Sequence, residues 1–387
     1  MIRHAVLIGA LLIGLSAAVD GGAQDDARAI RFATCNAALS GQTPEGLAER
    51  LATPEDAKLK QVAEIIQTVR PDVLLINEFD HDPTGQLATL FQKHYLAVAQ
   101  GTAQPIVFGH AYSPPVNTGL PTGIDLDGDG NTNGPGDAHG WGDYPGQYGI
   151  LLLSRFRLDT AHAVSQQEKL WAEFPFSYFP KEYYPGEARD ILRLSSKTHV
   201  SVPMRVDARA FSVLISHPTP PVFDGPEDRN GKRNFDEIGL LAQIVNTADR
   251  PVVVMGDLNA DPNDGESLPG AIDQLLTNAK ITDPRPRSAG AVAAAESDGG
   301  VNTDHKSDAA FDTADWSDHP PRGPGNLRVD YVLPTTEWEV IEAGVFWPAP
   351  GEPGHELVNV SDHRLVWADL RLTTPRQINP RRAPFSR

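Results

Sequence analysis

The sequence predicts an α/β fold in which β-sheets pack against one another and helices cover the outside. Two observations carry this. Strand-like apolar runs recur along the chain: IRFATCN (30–36), DVLLINE (72–78), FSVLISH (211–217), VVVMGDLN (252–259), RVDYVLP (328–334) and SDHRLVWADLRL (361–372). Segments with a helical repeat lie between them, but the alternation is irregular, so antiparallel neighbours are expected within the sheets.

The helical segments follow from apolar spacing. Over 54–69, Val62, Ile65, Ile66 and Val69 share one face, and Pro71 stops the pattern. Over 235–247, Ile238, Leu241, Ile244 and Val245 form a stripe, and 272–276 suggests a shorter helix. Residues 148–153 read as a central strand ending in Ser154 and Arg155, and residues 191–200 as another strand. Two stretches read as insertions, 101–147 and 284–326, both rich in Gly, Pro and polar residues. Loops of that length are usually functional or disordered. The organisation expected is one domain over 24–375, followed by a polar tail over 376–387 that contains Arg376, Arg381, Arg382 and Arg387.

The first residues read MIRHAVLIGALLIGLSAAVDGGAQ. A basic start, a short apolar run and then small residues make a signal-peptide pattern over 1–23. The apolar run is too short for a bilayer span, so export to the periplasm or the medium is expected, with no membrane span left after processing. Cys35 is the only cysteine, so no intrachain disulfide can form. It sits inside a strand-like run, where a free thiol is usually inert packing. The 387 residues carry a formal net charge of −18. That balance disfavours nonspecific nucleic-acid binding, which needs Lys and Arg against phosphates. It does not exclude a phosphoester brought in through divalent cations. No feature of the sequence indicates an oligomeric state.

The apolar runs share a polar terminus. Asn36, Glu78, His217, and Asp257 with Asn259 end four of them; Asp330 sits within a fifth; Asp362 and His363 open the sixth. A carboxylate or amide at the end of a buried strand costs stability unless something uses it. Such ends often carry catalytic groups. Singly, each residue could equally form a turn. Together the set offers hard oxygen ligands suited to Mg²⁺, Mn²⁺ or Ca²⁺, a carboxylate able to take a proton from water, and an imidazole that a carboxylate can orient.

On these residues the chain resembles the endonuclease/exonuclease/phosphatase superfamily of metal-dependent phosphoesterases. The matching pieces are Asn36, INE at 76–78, GDLN at 256–259, RVDY at 328–331 and SDH at 361–363, in the family's order. The resemblance implies a four-layer α/β sandwich, with two packed mixed β-sheets flanked by helices. It implies Glu78 as principal metal ligand with Asn36 beside it, and Asp362 as a further acidic ligand or a group behind one. Asp257 and Asn259 would hold or activate the attacking water, His217 would bond a phosphate oxygen, and His363, oriented by Asp330, would act in acid–base catalysis or stabilise the transition state. Either Asp257 or His363 could be the base. Cys35 stands where relatives usually carry an aromatic residue, Asn77 where the commoner motif has glutamine, and PTPP follows His217. These departures bear on the pocket walls, not on the catalytic set.

DLDGDGNTNGPGD at 125–137 has the alternating oxygen ligands of a calcium loop in Asp125, Asp127, Asp129 and Asn131. Gly136 occupies the expected twelfth, acidic position, and Asp137 follows it. Arg189 reads as a phosphate contact or a salt-bridge partner. Arg233, with Arg229 and Lys232, reads as a second phosphate site or a solvated helix start. The reading favoured is an exported phosphoesterase acting on a small phosphodiester or phosphomonoester by direct water attack. A secreted nuclease, a lipid phosphodiesterase docking through the aromatic stretch 171–184, and a calcium-stabilised binding protein without activity are the alternatives.

Overall fold

The computed structural model describes residues 28–317 and 323–373, so the expected signal peptide and polar tail lie outside the described residues. Strands β1 (Ile30–Asn36), β2 (Val73–Asn77), β3 (His110–Tyr112) and β4 (Ile150–Ser154) belong to a first sheet. A second sheet holds β5 (Val164–Ser165), β6 (His199–Val206), β7 (Arg209–Ser216) and β8 (Val252–Asp257). The short pair β9 (Ala314–Asp315) and β10 (Asn326–Leu327) stands apart, and β11 (Asp330–Pro334) joins the second sheet. The chain returns to the first sheet with β12 (Trp338–Val345) and β13 (Val366–Leu372). The orders are β12-β13-β1-β2-β4-β3 and β11-β8-β7-β6-β5. Each sheet is mixed, with one parallel pair: β1 with β2, and β7 with β8.

Alternation along the strands builds the layers. Phe32, Val73, Leu75 and Leu152 point from the first sheet into a core shared with Val202, Phe211, Val213, Met255 and Val332 of the second. Phe32, Phe211 and Trp338 meet edge to face across this interface, with centroids 5.0–6.0 Å apart. Their intervening neighbours Ala33, Leu74 and Ile76 face outward and bury against Leu59, Val62 and Ile66 of the helix Ala57–Val69. Leu214, Val254 and Leu333 bury likewise against Ile238, Leu241 and Val245 of the helix Arg229–Thr247. Strands buried on both faces read as near-continuous apolar runs, and each fully buried Leu, Ile or Phe contributes roughly 1.5–3 kcal/mol. The result is helix, sheet, sheet, helix: a four-layer α/β sandwich.

Two elements differ from expectation. The long helix begins at Arg229, because Arg233, Asn234, Asp236 and Glu237 face inward and interrupt the apolar repeat. The strand expected over 191–200 starts only at His199. Glu237 accepts from the backbone N–H and hydroxyl of Ser196, and Asn117 Nδ2 donates to the Ser195 carbonyl, so this segment is drawn off the sheet. The aromatic stretch packs on the fold through Trp171, whose indole bonds Asp236, and Phe179, while Phe176 is exposed. No helix among the described residues is long and apolar enough to cross a membrane.

Gly256 of β8 lies tight against β7 beside the site. A Cβ there would stand 2.0 Å from the Ser216 carbonyl oxygen. Gly256→Ala should cost about 2 kcal/mol or more in urea unfolding; a change within 0.5 kcal/mol (roughly the surface-substitution range) would refute this packing account.

Candidate active site

Strand direction gathers the polar termini. Parallel pairing sets Asn36 opposite Asn77, so Glu78 leaves β2 beside the end of β1. Parallel β7 and β8, in register at Ile215 and Met255, bring His217 and Asp257 to the same edge. β11 runs antiparallel and sets Asp330 opposite Asp257. β13 is antiparallel to β1, with Val366 opposite Thr34, so the preceding Asp362 and His363 arrive there too.

Asp257 sits at the centre, buried. Its Oδ2 accepts from Asn36 Nδ2 at 3.1 Å, lies 3.3 Å from His217 Nε2 and 3.7 Å from His363 Nε2. Its Oδ1 accepts from the Asn259 backbone at 3.0 Å. Burial opposes ionisation of Asp257, but the imidazoles of His363 and His217 overcome it and hold its pKa below the ordinary value. Asn36 Nδ2 also donates to Glu78 Oε1 at 3.0 Å. Glu78 and Asn259 both adopt left-handed backbone, at φ 59° and 52°. For residues with a Cβ that conformation costs about 1–2 kcal/mol, and here it turns both side chains off the strand ends.

The two histidines differ in state. His363 Nδ1 bonds Asp330 Oδ2 at 2.9 Å, which also accepts from Thr313 Oγ1 at 2.9 Å. Burial disfavours a charged ring, yet Asp330 and Asp257 on either side push His363 up to about 10. Among the described residues, His217 has no hydrogen-bond partner at Nδ1. Burial and the neighbouring Lys197 hold its pKa below the ordinary value, so it stays neutral and donates from Nε2.

These groups line the inner end of a cleft of about 520 Å³. The sequence model of the Endonuclease/Exonuclease/phosphatase family matches residues 33–363, from the first strand through His363. The chain belongs to this family. Members of the endonuclease/exonuclease/phosphatase family are metal-dependent phosphoric ester hydrolases. A family protein from Beutenbergia cavernae DSM 12333 superposes with a TM-score of 0.51 at 19% identity, over 89% of this chain and 72% of that one. Other similar structures are a family protein from Leptotrichia buccalis C-1013-b (TM-score 0.47, 16% identity, 88% of this chain, 98% of that one) and the human nocturnin catalytic domain with bound sulfate (TM-score 0.46, 16% identity, 90% and 96%). A comparison with curated proteins finds no match.

The family's divalent cation suits the donors present. Glu78 reaches the cleft with Oε1 bonded to Asn36 and Oε2 making no hydrogen bond among the described residues, and Asp362 adds an exposed carboxylate. Asp257, Asp330 and His363 also bring ligand atoms within 4.8 Å of one another. That trio is buried, and its imidazole nitrogen is committed to Asp330, so it is a proton-holding chain more than an open ligand set.

Lys197 and Trp316 are among the cleft residues not singled out in the sequence. Lys197 is 7% exposed and lines the cleft, and its ammonium makes no hydrogen bond among the described residues. Burial lowers its pKa, while Glu78, Glu237 and Asp257 favour the charge. Glu237 places it by holding Ser196 on one side and the Thr219 backbone, at 2.6 Å, on the other. Trp316, from the second insertion, donates to Asp362 Oδ2 at 2.8 Å and meets the His363 ring edge-on at 5.1 Å. A lone Lys or Trp in a polar stretch carries no periodic signal.

Other candidates fall outside the cleft. Arg233 is buried, its guanidinium donates through Nε and one terminal nitrogen to the carbonyls of Leu194, Arg193 and His139, and it does not line the cleft. Arg229 pairs with Glu227 over the Tyr183 ring, and Lys232 bonds the Glu227 carbonyl. Arg189 is exposed on the short helix Ala188–Ile191 and does not line the cleft. In the 125–137 loop, Asp125 and Asp127 gather with Asp137, their ligand atoms within 4.8 Å. Asp129 and Asn131 instead bond each other. The short turn Pro135–Asp137 swings the one-residue-late carboxylate inward, where it takes the Leu126 and Gly134 backbones.

The His363 shift has a stability consequence. A ring raised from 6.5 to about 10 contributes fully below about pH 6.5 and loses that contribution as pH climbs to about 10. Unfolding measured in EDTA should show wild type losing its margin over His363→Asn across that interval. A margin constant with pH would remove the charged-imidazole assignment.

Proposed function

We propose that this protein hydrolyses a phosphodiester or phosphomonoester of a small organic molecule by direct attack of water. The observation that carries the reading is Asp257, a buried carboxylate kept ionised between two imidazoles at the floor of a cleft. Asp257 is the acceptor for the proton of the attacking water. Asn259, displayed by its left-handed backbone, positions that water and the phosphoryl group. Lys197 and the neutral His217 bond phosphoryl oxygens, Lys197 with a charge-assisted bond. His363, held protonated by Asp330, faces the reacting centre as the acid. Glu78, with Asn36 and Asp362, would hold Mg²⁺, Mn²⁺ or Ca²⁺. When bound, the cation polarises the phosphoryl oxygens and offsets the charge that grows on them. Cys35 supplies no nucleophile, since burial pushes its thiol up to about 12.

Two further assignments belong to this reading. Residues 1–23 act as a signal peptide and the mature protein is exported; N-terminal sequencing of the processed protein tests it. The 125–137 loop binds Ca²⁺ through Asp125, Asp127 and Asp137, supported by the alternating acids and the inward Asp137. Calorimetric Ca²⁺ titration should lose one binding event in Asp127→Ala, and an unchanged isotherm would sink the loop assignment.

Activity is expected in a screen of phosphoesters with Mg²⁺, Mn²⁺ or Ca²⁺, and to vanish in EDTA. Asp257→Ala should lower kcat about 10²–10⁴-fold, the range for a general base. Lys197→Met should lower kcat/KM about 10-fold or more through a lost charged hydrogen bond. An Asp257→Ala protein of wild-type activity would overturn the mechanism, and efficient plasmid cutting would move the substrate to nucleic acid.

A further inference from the structure

The cleft is asymmetric. Its inner end holds Lys197, the one Lys or Arg among the described lining residues, 93% buried and without a hydrogen-bond partner. Its outer part is lined by several segments. One is Pro220, Pro221, Val222 and Phe223. Prolines limit the freedom of this segment, and the start of the long helix fixes it: Asn230 takes the Val222 carbonyl at 2.6 Å and the Asp224 carboxylate at 2.6 Å. Phe223 is left 86% exposed while lining the cleft. The segment after β8 contributes Asp264 and Glu266. Asp264 is tied to the second insertion through the Lys306 and Ser307 backbones, whereas Glu266 is exposed.

We propose that this outer part is a subsite for the substrate's organic group, and that it selects an uncharged or cationic group over an anionic one. The proposal rests on the phosphoesterase reading above and narrows its substrate class. The unpaired ammonium marks the end where the phosphoryl group sits. From there the organic group runs along the Phe223 wall, whose ring offers apolar contact and, to a cation, its negative face. Asp264 and Glu266 lie where a next phosphate or a carboxylate would fall, and repel it. A polynucleotide, which repeats an anion at every residue, meets that repulsion at its second phosphate.

The test uses three matched p-nitrophenyl phosphodiesters, whose second ester group is 2-(trimethylammonio)ethyl, its neutral isostere 3,3-dimethylbutyl, or 2-carboxyethyl. The corresponding monoesters, read by phosphate release, serve if the enzyme cleaves only monoesters. Wild type should show kcat/KM in the order cationic, neutral, anionic, with the extremes about tenfold apart or more, an effect that shrinks with added salt. Glu266→Lys should narrow that ratio about three- to tenfold. Phe223→Ala should raise KM for the cationic and neutral esters about three- to tenfold, with far-UV circular dichroism confirming the fold of both variants. Equal kcat/KM across the three esters, a preference for the anionic one, or plasmid DNA cut more efficiently than all of them would overturn the subsite while leaving the phosphoesterase reading standing. Failure to hydrolyse any ester with Mg²⁺, Mn²⁺ or Ca²⁺ would overturn that reading, and the subsite with it.

Discussion

The buried carboxylate of Asp257 is the constraint on which the rest of this structure depends. An ionised group taken out of water costs several kcal/mol unless charges and hydrogen bonds replace the lost hydration. Here the replacements come from both sheets. Asn36 reaches it from the end of β1, His217 from the end of β7 and His363 from the approach to β13. The site therefore acts as a clasp across the open edge of the sandwich, where the aromatic contact of Phe32, Phe211 and Trp338 does not extend. Geometry needed for chemistry and geometry needed to compensate a buried charge are here the same geometry.

That clasp accounts for the unequal histidines. His363 is bonded to Asp330, lies beside Asp257 and carries the proton; His217 lies beside Asp257 and a neighbouring ammonium, has no Nδ1 partner among the described residues, and stays neutral. Two imidazoles on one carboxylate are thereby assigned opposite roles without any difference in residue type. Asp330 makes the distinction, and Thr313 fixes Asp330. Thr313 lies just before β9 in the second insertion, so that insertion helps hold the carboxylate that His363 bonds.

Much of the framework was legible in the sequence because strand ends obey a simple rule. Near-continuous apolar runs predicted β1, β2, β7 and β8 closely, and their polar terminal residues are those the structure draws together. The four-layer arrangement came from resemblance, and the burial of Phe32 and Ala33 on opposite faces of β1 shows its physical basis. What was not legible depends on tertiary partners. The inward polar face of the long helix hid six residues of it. Arg233 looked like a free cation because no local pattern shows the three carbonyls around its guanidinium. Lys197 and Trp316 were missed for the converse reason: their importance comes from what Glu237 and Asp362 do to them across the chain. Asp137 was one position late for the expected loop, and only the turn at Pro135–Asp137 brings it to Asp125 and Asp127.

The division between strand ends and loops separates reaction from recognition. Residues around Asp257 sit on or beside strands whose register cannot slip, since a one-residue shift would turn Phe32 or Leu75 out of the core. The outer cleft is made by the segments after β7 and β8 and by the second insertion, which answer to no such register. A loop wall can change length or charge while the clasp keeps its shape. Trp316 and Thr313 couple the two, because they belong to the insertion yet Trp316 bonds Asp362 and meets the His363 ring, and Thr313 bonds Asp330. A change in the insertion that moved Trp316 would therefore reach the reacting centre, whereas one confined to the stretch around Glu266 would alter only what the cleft admits.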